Sequence, residues 1–153
     1  MIARSNGRTV LAIVVAVLLF AIAERGDSAP RCYGIGRFQL VGNNILDGAT
    51  GLTWQQNVSA QQFTWTDAAT YCSTQPGGLR LPSFKELLSI VDYTKPASST
   101  VATINSLAFP NTPADLFWSS GAITAAEAVA VSFTDGEGIP TGVNAALWVR
   151  CVR

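Results

Sequence analysis

Catalysis and metal binding need side chains that can move a proton, attack a bond or ligate an ion, and this chain offers few. It has no histidine, which excludes Ser-His-Asp and Cys-His machinery and every His-ligated metal site. Sulfur comes from Cys32, Cys72 and Cys151. A reactive cysteine must be an accessible thiolate of lowered pKa. In an oxidising compartment, three cysteines make one pair with one left over. Asp135 and Glu137, in the run Asp135-Gly136-Glu137-Gly138, are the nearest thing to a paired-carboxylate site. A hard cation wants about six oxygens and at least two or three clustered carboxylates, so a solvated turn accounts for them better. No catalytic residue, metal site or cofactor is expected.

Cysteine chemistry depends on the compartment, and the first residues speak to it. Arg4 and Arg8 precede the uninterrupted apolar run Val10 to Ala23, which ends in Ala21-Ile22-Ala23. A charged start, an apolar middle and a small-x-small ending describe a cleaved secretory signal over residues 1–23, with the mature chain starting at Glu24. The apolar run falls short of the roughly 20 residues a bilayer span needs. Residues 24–36 have no periodicity and read as a linker. The tripeptide Arg25-Gly26-Asp27 within them is better taken as solvated chain than as a receptor motif. Without Arg4 and Arg8 the balance is eight basic residues against ten acidic, a formal charge of −2. Nothing in it attracts nucleic acid or an anionic membrane. A membrane association would come only through an uncleaved signal.

The elements that must position these residues centre on 64–92. Thr64 with Asp67 is a capping pattern, and Trp65, Ala68, Ala69 and Cys72 fall at i, i+3, i+4 and i+7, which places Cys72 on the inward face of a helix. Ser83 with Glu86 is a capping box for a second helix, with Phe84, Leu87, Leu88 and Val91 repeating the spacing. Gly77 and Gly78 stop the first helix. Ahead of them, residues 37–41, 45–46 and 52–55 read as short strands, with turns at Asn43-Asn44 and Asp47-Gly48. Behind them, 117–119, 128–133 and 146–152 read as three more, with Val129, Val131 and Phe133 alternating. Between the two sets lies a long aperiodic segment, 93–115, of the kind that carries recognition or mobility. At 153 residues, 48% of them hydrophobic and 13% charged, the chain has material for one core.

Six blocks in this order resemble one family of exported bacterial domains. They are Asp47-Gly48-Ala49-Thr50-Gly51-Leu52-Thr53-Trp54-Gln55-Gln56, Trp65-Thr66-Asp67-Ala68 with Tyr71-Cys72, Arg80-Leu81-Pro82 with Lys85-Glu86-Leu87, Phe109-Pro110-Asn111-Thr112, Trp118-Ser119-Ser120, and Val149-Arg150-Cys151-Val152-Arg153. The family is that of the C-terminal domain of a collagen-like adhesin, the Lcl C-terminal domain, and the resemblance runs over 37–153. It implies an α+β, C-type-lectin-like fold similar to that of the formylglycine-generating enzymes, with two helices packed on short irregular antiparallel sheets. It implies a Cys72–Cys151 disulfide, which leaves Cys32 without a counterpart. Leu79 stands where the family usually has a tryptophan.

The resemblance also sets which functions to weigh. The formylglycine-generating relatives use a reactive cysteine pair near the C-terminus, where this chain has Cys151 alone. Lectins of the fold hold calcium through a Glu-Pro-Asn or Gln-Pro-Asp triplet and a Trp-Asn-Asp. This chain has neither, and its long loop offers Asn105, Asn111 and Asp115. Trp54, Trp65 and Trp148 lie in blocks where core packing is the better account than sugar stacking. Arg80, between two leucines, suits a structural ion pair, and Glu86 has a cap to make. The expectation is an exported, non-enzymatic recognition module. Its loop 93–115, with the neighbouring turn 135–143, would bind a glycan or cell-surface ligand through Lys95, Asn105, Asn111, Asp115 and an exposed face of Trp118, independently of metal. The adhesin's domain recognises sulfated glycans, but Lys85 and Lys95 are the only lysines here. An oxidoreductase-like relative of the formylglycine enzymes and a structural or assembly module of the cell envelope stay open as alternatives, as does oligomerisation. Thiol status, glycan binding and native mass would separate them.

Overall fold

Both helices begin where the local chemistry places them. The computed structural model describes residues 31–33 and 36–153; the signal read at 1–23, residues 24–30 of the linker and Arg25-Gly26-Asp27 lie outside the described residues. Helix α1, Trp65–Thr74, is capped by Thr64, whose hydroxyl accepts from the Asp67 N–H and donates to its carboxylate. Helix α2, Phe84–Ser89, has a complete capping box: the Glu86 carboxylate accepts from the Ser83 N–H at 2.8 Å and the Ser83 hydroxyl from the Glu86 N–H at 3.3 Å. Two orphan donors at the helix start are thereby satisfied. Helix α1 stops at Thr74, and Gly77 and Gly78 turn the chain with φ of 94° and 69°, a region that costs glycine nothing.

Four antiparallel strands precede the helices: β1 (Arg31–Tyr33), β2 (Phe38–Val41), β3 (Asn44–Asp47) and β4 (Thr53–Gln55), ordered as in the chain. The segment read as linker therefore ends in an edge strand, Cys32 standing opposite Gln39. The β2–β3 turn is Gly42-Asn43, one residue earlier than expected, because Gly42 supplies the positive φ of 61° and Asn44 already pairs with Val41. After the helices, β5 (Leu116–Ala122), β6 (Glu127–Ser132) and β7 (Gly138–Gly142) form a second antiparallel sheet. Strand β7 replaces part of what read as an extended turn over 135–143. Its Pro140 lacks an N–H but sits on an edge strand, where one side of the ladder goes unused.

Residues 146–152, expected as one strand, run instead between partners. Leu147 bridges Phe63, Trp148 bridges Phe117 in parallel, and Val152 bridges both Trp54 and Arg80. Further backbone bonds join Gln55 to Cys151, Ser59 to Val149 and Thr53 to Arg153. One segment thus sews the first sheet, the post-helix connector and the second sheet together.

The second sheet has apolar groups on both faces. Phe117, Val131 and Phe133 join Ile45, Trp54, Leu87, Ile104 and Phe109 in one buried cluster. Trp118, Ala128 and Ala130 join Ala68, Leu79, Leu147 and Val149 in another. Alternation along a strand sends neighbours to opposite faces, which is why Phe117 and Trp118 part company. The second cluster also holds Cys72 and Cys151, both fully buried and bonded at 2.03 Å. The architecture is α+β, two helices on two small antiparallel sheets, with the disulfide the resemblance implied.

Candidate recognition loop

Loop 93–115 is irregular but tightly held. The Asp92 N–H donates to the Thr103 carbonyl at 2.7 Å, the Thr103 N–H to the Phe133 carbonyl at 2.7 Å, and the Ser98 N–H to the Thr134 carbonyl at 3.0 Å. Ala102, Thr103, Ile104, Ala108 and Phe109 are buried. The loop's middle is therefore core, and only parts of it face solvent.

Its polar side chains are mostly spent on the loop itself. Lys95 donates from Nζ to the Ile104 carbonyl. Asn105 Oδ1 accepts from the N–H groups of Leu107 and Ala108, both at 3.0 Å. Asp115 accepts from Trp148 Nε1 at 3.1 Å and from the Leu116 N–H at 2.7 Å. Trp118 corrects the expectation outright. It has no exposed face, being fully buried, and its Nε1 donates to the Phe63 carbonyl at 2.8 Å. Position in β5 decides this, since the residue after the inward Phe117 meets the second core. Asn111 alone of the five candidates stands exposed without such a bond among the described residues, at a φ of 55°, a conformation asparagine tolerates better than most residues. It lines a cleft of about 160 Å³ with Thr100, Val101, Ser106, Phe109 and Thr112. Val101 and Leu107 are 59% and 66% exposed.

The remaining candidates hold the frame. Arg80 grips Glu86 through two bonds of 2.8 and 2.6 Å. That pairing, opposed by burial and helped by the Ser83 N–H, brings the Glu86 carboxyl down to about 2. Trp54 is fully buried, and its indole N–H meets no acceptor among the described residues. Trp65 donates to the Ser119 carbonyl at 2.8 Å, fastening α1 to β5. Asp135, in the outside candidate for a metal turn, accepts from the Glu137 N–H at 3.0 Å, and that bond first, then Ser132, lowers its pKa. Among the described residues, no three Cys, Asp or Glu side chains gather to hold a metal ion, and no helix is long and apolar enough to cross a membrane.

The Lcl C-terminal domain family model matches residues 43–153. The chain belongs to the Lcl C-terminal domain family. No curated protein matches it. Family membership makes the chain an adhesin-like module and accords with a protein exported or displayed at the cell surface.

Within this Lcl C-terminal domain the residue that sequence reasoning left unassigned is Arg150. It is fully buried, with no carboxylate paired to it among the described residues. Its guanidinium donates to the Gln55 carbonyl at 2.8 Å, to the Gln56 carbonyl, and to Thr112 Oγ1 at 2.8 Å, and it lies 4.8 Å from the Phe109 ring centroid. Burial pushes its pKa down to about 9, so it stays charged at neutral pH. A buried charge with one-sided partners is costly, and here it anchors the candidate loop, through Phe109 and Thr112, to the end of β4. The signal was present in alternation: Leu147, Val149 and Cys151 share one face, so Arg150 must share the other with Trp148 and Val152, which pack with the first cluster. A second pair, Arg37 with Asp47, fastens β3 to α2. Both bonds are 2.8 Å, and Arg37 also donates to the Ser89 carbonyl at 2.6 Å. Burial would raise the Asp47 carboxyl, but Arg37, Thr50 and the Ala49 N–H outweigh it and hold it low.

Proposed function

We propose that the protein is an exported, non-enzymatic recognition module of C-type-lectin-like fold that binds a glycan or other cell-surface ligand through loop 93–115. The observation behind this is the division of labour in the loop. Lys95, Asn105, Asp115 and Arg150 fix its shape from within, while Asn111, Val101 and Leu107 stand exposed at or beside a small cleft. A rigid rim with a few free groups is what weak, specific recognition requires. Lys95, Asn105 and Asp115 act as supports, and direct contacts fall to Asn111 and its neighbours. The oxidoreductase-like alternative suffers because Cys72 and Cys151 are bonded to each other, leaving neither as a free thiolate.

The test is a glycan and host-cell binding screen of the full chain, run with and without chelator. Asn111→Gly, which removes the carboxamide and keeps the φ of 55° free of strain, should weaken binding roughly fivefold, as the loss of one net hydrogen bond does, at unchanged melting temperature. Binding that ignores Asn111, Val101 and Leu107 substitutions, or that chelator abolishes, would overturn the reading.

A further inference from the structure

A second cleft lies well apart in sequence from the loop, between the β2–β3 hairpin tip with the end of β4 on one side and the exit of α1 on the other. It encloses about 570 Å³, within the size range of small-ligand sites. Its polar lining is carboxamide: Asn43, Asn44, Gln55, Asn57 and Gln75, with no charged side chain in the lining. Asn43, Asn44 and Asn57 make no side-chain hydrogen bond to another described residue, and Asn43 and Asn57 are exposed. By contrast Gln55 is fixed from two sides, donating to the Tyr71 hydroxyl at 3.0 Å and accepting from the Cys151 N–H at 3.3 Å. Gln75 donates to the Tyr71 carbonyl at 3.3 Å.

A separate groove lies along α1, linked to the cleft through Tyr71, whose hydroxyl accepts from Gln55. Phe63 and Tyr71 line it with their rings stacked, centroids 4.7 Å apart, beside Gln61, Thr70 and Thr74. Asp67 is the one charged side chain across the two linings. Both walls are braced, since the bridge from Cys72 to Cys151 ties α1 to the segment that pairs with Gln55.

The geometry points to a binding site for an uncharged, polyhydroxylated ligand, a neutral oligosaccharide, in this carboxamide cleft, with the Phe63–Tyr71 pair stacking on an adjoining sugar. A carboxamide carries both an acceptor oxygen and a two-donor nitrogen, and so matches a sugar hydroxyl, which is donor and acceptor at once. Arg153 stands beside the cleft with its guanidinium already donating to the Gly77 carbonyl at 2.8 Å, no cation lies in either lining, and Asp67 would repel sulfate or uronate, so the carboxamides favour a neutral glycan over an anionic one. Aromatic faces cover the apolar side of a pyranose. The site shares no lining residue with the 93–115 cleft, and it stands whether or not that loop binds anything.

The experiment titrates the full chain, in chelator, with maltohexaose, cellohexaose and chitohexaose, and separately with a heparin hexasaccharide, at low and high salt. The readouts are calorimetry and the side-chain amide resonances of Asn43, Asn57 and Gln75. At least one neutral sugar should bind saturably, equally well at both salt concentrations, and shift those resonances. The double variant Asn43→Ala/Asn57→Ala should lose about tenfold in affinity with an unchanged thermal midpoint, while Asn111→Gly leaves this binding intact. Binding of the sulfated sugar alone, unshifted amide resonances with every neutral sugar, or full affinity in the double variant would each overturn the proposal. Loss on Asn111→Gly would transfer the site to the loop and overturn it equally.

Discussion

Opening the Cys72–Cys151 bridge by reduction should cost this fold about a third or more of its stability. The two cysteines are 79 residues apart in sequence, so the bond closes a loop that contains α2 and all of β5, β6 and β7. On the chain-entropy account a loop of that length removes about 15 cal/mol/K from the unfolded ensemble, or about 4.5 kcal/mol at 25 °C. Reduction removes no side chain, but the two buried sulfurs must part to non-bonded contact inside a packed core, so crowding adds to the loop term. A domain of this size holds roughly 5–15 kcal/mol in total, so reduction should remove a large share of it. The assay is urea denaturation of oxidised and reduced wild type. With a slope of about 1.5 kcal/mol per molar, the midpoint should fall by roughly 3 M. A fall of under about 0.5 M, too small for an effect of this size, would show that the unfolded chain is already compact and the loop-entropy reasoning wrong. Non-reducing peptide mapping with both thiols free in exported protein would remove its premise.

Three further outcomes follow from contacts described above. Glu86 has its carboxyl lowered from 4.5 to about 2, so its contribution is present above pH 4.5 and lost as pH falls toward 2. Because Arg80 is half exposed, screening leaves about 1 kcal/mol of it; Glu86→Gln should flatten that acid limb, and parallel limbs in pH-dependent unfolding would disprove the assignment. Gly136→Ala should destabilise by at least about 2 kcal/mol in thermal melts, because φ is 85° and the added methyl would lie 2.6 Å from the Tyr93 ring and 2.8 Å from Val91 Cγ1. Exposed Tyr93 can swing away but buried Val91 cannot, so a neutral effect would mean the turn rebuilds. Thr112→Val removes one donor contact of Arg150 and should cost about 2 kcal/mol, with faster amide exchange at Phe109, whose N–H is bonded to the Asn105 carbonyl; unchanged exchange would detach the loop from Arg150.

What could be read in the chain was local. Thr64 and Ser83 with Glu86 act within one helical turn, so their capping patterns are complete in a few residues. Strand β7 was not readable, since Gly138-Ile139-Pro140-Thr141-Gly142 carries glycine at both ends and proline between. Its extended form is imposed by β6, a partner the window does not contain. Loop 93–115 misled for a related reason. Its Lys95, Asn105 and Asp115 look like surface polarity, but Lys95 holds the Ile104 carbonyl across the loop, Asn105 closes its own turn at Leu107 and Ala108, and Asp115 holds the Trp148 indole of a distant segment. Trp118 and Arg150 were decided by which of two cores each residue faces, and that division exists only once residues 147–153 have threaded between the sheets.

That threading fixes an order of events in time. Thr53, Gln55, Ser59, Phe63, Arg80 and Trp118 all give backbone hydrogen bonds to carbonyls between Leu147 and Arg153, so none of these contacts exists while that stretch is still inside a ribosome or a translocation channel. A chain synthesised only as far as Ala146 has both helices and both hairpin sheets in hand but neither its disulfide nor its buried guanidinium. Premature folding is thereby discouraged, and a chain crossing a membrane unfolded would arrive still able to thread. In an exported chain, closure and oxidation would then fall together.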